Sequence, residues 1–106
     1  MDSKNISDHI SFSDAKMKKN SLFDSERMFY DVYCLLPGHG QKVHAHGDSD
    51  KVYYVVEGSG LFTIGGEERT LGPGNAVMAH AGEQHGVRNE SGENLVLLVT
   101  MAPRPA

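Results

Sequence analysis

With 106 residues, one cysteine and a formal charge of -4 from 10 Lys and Arg against 14 Asp and Glu, the chain has room for one core and for no intramolecular disulfide. Its one local basic run, Lys16-Met17-Lys18-Lys19, is too short a footprint for nucleic acid or an anionic membrane, and it reads as solvated surface. The polar, acidic opening Met1 to His9 does not read as a signal peptide, and no apolar stretch approaches spanning length, so the expected location is the cytoplasm. Cys34, inside the apolar run Val32-Tyr33-Cys34-Leu35-Leu36, is expected to be a buried, inert thiol.

Residues 1–27 are polar, with Ile6, Ile10, Phe12, Met17, Leu22 and Phe23 scattered at neither helical nor strand period. They are expected to form an arm with one short strand near 21–23, packing on the barrel or on a partner subunit. From Met28 the pattern changes to short runs rich in Val, Tyr and Leu, broken by Pro37-Gly38, Gly58-Ser59-Gly60, Gly65-Gly66, Gly72-Pro73-Gly74, Ala81-Gly82 and Ser91-Gly92. Such punctuation predicts an antiparallel all-β domain over 28–106, with strands at 28–36, 41–46, 51–57, 60–64, 67–71, 76–80, 85–89 and 95–101. Gly65-Gly66 predicts a two-residue hairpin turn, since both positions tolerate positive φ. The closing Ala102-Pro103-Arg104-Pro105-Ala106 ends strand pairing, because proline offers no N–H to a ladder.

Two histidines, His44 and His46, fall one residue apart in a predicted strand, so their side chains leave the same face and can chelate one ion. A third, His85, opens a later strand that an antiparallel barrel can bring to the same interior point. Taken alone a His-x-His pair is more often surface chemistry than a metal site; the surrounding text is what gives it weight.

That text resembles the two motifs of the cupin superfamily, G-x5-H-x-H-x3,4-E-x6-G and G-x5-P-x-G-x2-H-x3-N. Here the first is carried by Gly38, His44, His46, Lys51 and Gly58, and the second by Gly74, His80, Gly82, His85 and Asn89, with every spacing kept. The resemblance covers residues 28 to 101 and implies a double-stranded β-helix, or jelly roll, whose interior holds one divalent metal on His44, His46 and His85. Iron, manganese, nickel, copper and zinc all suit imidazole, and the ligand set does not distinguish them. Gly38, Gly58, Gly74, Gly82 and Asn89 are read as structural.

Two motif positions depart. Lys51 stands where the family has its glutamate, and a protonated ammonium has no lone pair for a metal. Three readings follow: a three-histidine centre similar to that of some thiol-oxidising cupins, a carboxylate restored by Asp50 or Asp48, or a metal-free pocket in which Lys51 binds an anion or acts as a base. Asp50 and Lys51, being adjacent, cannot both point inward without a bulge. His80 stands at the family's proline, with either a tolerated loop position or a place beside the pocket; Tyr54 and Phe62 are candidate pocket walls. His9 and His39 read as surface. The resulting expectation is a small metal-dependent enzyme of dioxygenase or isomerase type acting on a small polar molecule, or alternatively a non-catalytic ligand-binding or metal-sensing barrel. The residues alone leave open whether it is an enzyme at all. The apolar, tyrosine-rich run Val52 to Val56 and the arm predict a homodimer.

Overall fold

The computed structural model describes residues 1–105. After a short 3-10 turn at Ile6–His9, nine strands follow: β1 Lys18–Asp24, β2 Phe29–Leu35, β3 Gly40–His44, β4 Asp50–Glu57, β5 Gly60–Ile64, β6 Glu67–Leu71, β7 Ala76–Ala79, β8 His85–Arg88 and β9 Leu95–Ala102. They form two antiparallel sheets, β1-β2-β9-β4-β7 and β3-β8-β5-β6, that face one another as a jelly roll. No helix among the described residues is long and apolar enough to cross a membrane.

Alternation places the core. On β4, Lys51, Tyr53 and Val55 are buried and turn inward, while Asp50, Val52 and Tyr54 are exposed. Register carries the same face across the sheet, with Tyr53 opposite Val99 and Val55 opposite Leu97 on β9, and Tyr33 opposite Leu97 on β2. These side chains meet Phe62 of β5 and Val87 of β8 from the other sheet in one apolar cluster. A loss of water from so many large side chains is the main stabilising term.

The arm has more structure than its composition suggests. Its strand runs the full length of β1 and pairs with β2, with a register shift between Ser21 and Phe23. Leu22 joins Val32, Cys34 and Val96 in a second cluster on the outer face of the large sheet, and Ile6, Ile10 and Phe12 pack against it. Scattered apolar residues without period thus serve as a cover, in which each makes a separate contact. The expected turn is present between β5 and β6, but only Gly65 takes a positive φ, of 61°.

Strand β3 ends at His44, two residues earlier than the predicted 41–46 strand. It pairs with β8 through Gln41 opposite Val87 and His44 opposite His85, so three steps along β3 span two along β8. The extra residue is a β-bulge, and it turns Gln41 and His44 to the same inner face, which strict alternation forbids. Gly86 makes this possible on the β8 side. A Cβ there would meet the Gln41 carbonyl oxygen at 3.0 Å and the Val43 Cα at 3.1 Å, both backbone atoms of the bulge. Replacing Gly86 by alanine is expected to cost about 1–3 kcal/mol, read as a fall in thermal midpoint of roughly 4–8 °C per kcal/mol; an unchanged midpoint would show that the bulge yields freely.

Candidate metal centre

The bulge, the β8 start and one loop supply the three histidines. His44 lies at the end of β3 and His85 directly across from it on β8. His46 falls in the loop after β3 and not on the strand, because β3 stops at His44; the loop is tied down by the Gly82 N–H donating to the His46 carbonyl at 2.7 Å. The ring centroids are 4.4 Å apart for His44 and His85, 4.8 Å for His44 and His46, and 5.4 Å for His46 and His85. One ligand nitrogen from each ring lies within 4.8 Å of the others.

Backbone carbonyls set the tautomers. His44 Nδ1 is 2.7 Å from the Lys42 carbonyl, inside the bulge, and His85 Nδ1 is 3.0 Å from the Glu83 carbonyl. A carbonyl only accepts, so each Nδ1 carries the hydrogen and each Nε2 presents a lone pair. The Nε2 atoms of His44 and His46 are 3.1 Å apart, close to the spacing of two nitrogens bonded to one ion at about 2.1 Å. His85 Nε2 is buried with no hydrogen-bond partner. A buried, unmet acceptor is costly, and a divalent cation on the three nitrogens would meet it. The donor set therefore fits a metal.

The surroundings favour the neutral form of His85 and of His46, as ligation requires. Burial pushes His85 down to about 4, with the charges of Lys51, His44 and His46 acting the same way and the bond to Glu83 opposing them. His46 is lowered by burial first, then by His44 and Lys51.

Lys51 is turned inward and only 1% exposed. Its Nζ donates to Gln41 Oε1 at 3.1 Å and sits 5.0 Å from the Tyr53 ring centre and 5.4 Å from that of Tyr33. Tyr53 donates its hydroxyl to the same Gln41 oxygen at 3.3 Å, and its ring centre is 6.4 Å from that of His85. Tyr53 thus touches both the ammonium and the histidine cluster.

Of the other expected residues, Phe62 lines the interior, 5.3 Å from Tyr53 between ring centres. Tyr54, 40% exposed, faces outward; the inward position on β4 belongs to Tyr53, two steps from Lys51. Asp50 does not enter the centre. It is exposed, and its Oδ1 accepts from the Ala81 N–H at 2.9 Å, bracing the turn before β8, while Asp48 is also exposed. His80 is exposed and apart from the cluster, its backbone N–H donating to Glu83 Oε1 at 3.0 Å. His39 is half-buried, its Nδ1 accepting from the Leu36 N–H at 3.2 Å. Asn89 is fully buried and structural, its amide donating to the Leu35 and Glu93 carbonyls at 3.0 and 2.7 Å. Sequence reasoning missed Gln41 and Tyr53. Tyr53 was within reach through its parity with Lys51, but Gln41 faces inward only because of the bulge.

Burial lowers Lys51 from 10.5 to about 7, the nearby charge of Lys19 adding to the effect and Asp31 opposing it. The folded lysine therefore binds protons more weakly than the unfolded one. Between about 7 and 10.5 the unfolded chain holds more protons, so stability rises with pH across that window; below about 7 the whole cost of burying the charge is present. Lys51→Met is accordingly expected to stabilise the protein at pH 6, by on the order of 3 kcal/mol, with the gain shrinking toward pH 10. Thermal midpoints of parent and variant across that range check this, and a gain that grew with pH would contradict it.

The sequence model of the family described as Cupin domain matches residues 31–101. Over 85 residues the chain is 25% identical to the oxalate-binding protein of Thermotoga maritima, covering 80% of this chain and 69% of that protein. Over 63 residues it is 41% identical to the pectin degradation protein KdgF of Dickeya dadantii, covering 59% and 56%. The crystal structure of TT1209 from Thermus thermophilus superimposes with a TM-score of 0.96 at 51% identity, covering 99% of this chain and 100% of that one. With both motifs spaced as the family requires, the jelly roll formed and the family match spanning most of the chain, the protein belongs to the cupin family.

Proposed function

We propose that this cupin binds one divalent metal ion on His44, His46 and His85 and is a metal-dependent enzyme, of dioxygenase or isomerase type, acting on a small polar organic molecule. The observation that carries the proposal is the buried, unpartnered Nε2 of His85 beside the two converging Nε2 atoms of His44 and His46. When bound, a divalent ion supplies Lewis acidity or redox chemistry that imidazoles alone lack. The chain's own part is to orient the His44 and His85 rings through the Lys42 and Glu83 carbonyls, to hold His85 neutral by burial, and to exclude water from the inner wall with Tyr53, Phe62 and Val87. With Asp50 engaged at Ala81 and Lys51 bonded to Gln41, the centre has three protein ligands, leaving coordination positions for substrate.

A second reading, a non-catalytic small-ligand or metal-binding module, has its own support in the Thermotoga maritima relative, which is named for binding oxalate and not for a reaction. Oxygen uptake and product formation by protein loaded with iron, manganese, nickel, copper or zinc, across thiols, diketones and sugars, separate the two. Turnover is expected with at least one metal; ligand binding with no turnover under any metal would favour the module. Metal content tests the centre itself. The parent is expected to hold about one ion per chain and a His44→Ala, His46→Ala variant to lose it, whereas equal content in both would refute the proposed ligands.

The proposal extends to a homodimer in the cytoplasm. Val52, Tyr54 and Met78 form an exposed apolar strip on the outer face of β4 and β7, with Val52 directly opposite Met78, which supports pairing with a second copy. Sedimentation at micromolar concentration is expected to give twice the mass of one chain, and a single-chain mass would overturn that part.

A further inference from the structure

Metal binding does not account for the burial of Lys51. An ammonium carries three N–H donors, and one is met, by Gln41 Oε1. Among the described residues no carboxylate is in ion-pair contact with it. Asp31, on the inner side of β2, acts on it only as a charge through space. A buried cation with unmet donors is costly, and proteins keep one chiefly where something else meets the charge.

Lys51 is not alone. The Nζ of Lys19, on β1, sits 5.4 Å from the same Tyr33 ring centre, so two cations flank one aromatic ring. Between β1 and β3, one edge strand from each sheet, a cleft of about 550 Å³ is lined by Lys16, Met17, Lys19, Gly40 and Gln41 among others. The basic run that reads as plain surface in the sequence is a wall of this cleft. Gln41 belongs both to the cleft and to Lys51, so a molecule that takes over the Gln41 amide's place meets the buried ammonium.

We propose that this cleft admits a small organic anion whose carboxylate is received by Lys51 and Lys19, Gln41 yielding its bond to Lys51 as the anion enters. The proposal rests on the reading of the barrel as a small-molecule site and names the substrate class; its lysine part does not require the metal. Two ammoniums, Lys51 buried and Lys19 exposed, match the two charges of a small dicarboxylate. A phosphate dianion is better met by an arginine fork or a run of backbone donors, and no arginine lines this cleft.

Calorimetric titration of the full chain, stripped of metal with EDTA, tests it with malonate, succinate, inorganic phosphate and the neutral malonamide. A dicarboxylate is expected to bind and malonamide not to. Lys51→Met, which should fold at least as well as the parent, is expected to weaken the dicarboxylate by about tenfold or more, and Lys19→Met, at an exposed position, by about threefold. Equal affinity in parent and Lys51→Met, preference for phosphate or malonamide, or no binding of either dicarboxylate would overturn the proposal. A protein that binds a dicarboxylate through Lys51 yet takes up no metal would uphold it and refute the metal centre alone.

Discussion

The pairing of His44 with His85 across β3 and β8, reached through one extra residue in β3, is the contact on which the rest of the centre depends. Without that bulge, Gln41 and His44 would face opposite sides of the sheet, and either the histidine or the amide that holds Lys51 would be lost from the interior. The same bulge supplies the Lys42 carbonyl that fixes the His44 tautomer. Gly86 lets the two backbones approach. Geometry and chemistry are thus set by one local irregularity, held in place by a neighbour without a side chain.

Around it, burial does two kinds of work. On the large sheet it packs Tyr33, Tyr53, Val55 and Leu97 into an apolar wall. At the polar positions the same loss of water presses His85 toward its neutral form and makes the Lys51 ammonium expensive. A neutral imidazole is what a metal needs, so at His85 the desolvation suits ligation. At Lys51 it is a standing cost, partly offset by the faces of two tyrosines and one amide oxygen. Where the family motif has glutamate, this chain therefore buries a lysine held by Gln41 beside the histidines.

Much of this is legible in the sequence. Alternation and glycine breaks place eight strands close to those observed, and the motif spacing singles out the three histidines that come together. The adjacency of Asp50 and Lys51 also requires that one of them face out, and it is Asp50. The misses have physical causes. His46 is in a loop because strand pairing ends at His44, which no local pattern announces. Tyr54 is the wrong wall residue, since parity with Lys51 favours Tyr53. Gln41 has no readable orientation because a bulge reverses its face. The arm's role is hidden because Ile6, Ile10 and Phe12 cover a sheet at irregular spacing, where periodicity carries no signal.

Three nitrogens are proposed to share one ion, and anomalous diffraction from crystals of the purified protein tests that directly. The expected result is a single strong peak at about 2.0–2.3 Å from Nε2 of His44, His46 and His85, with Asp50 still at Ala81. A peak coordinated elsewhere, or none in metal-supplemented crystals with His85 Nε2 instead bonded to a protein group, would contradict it.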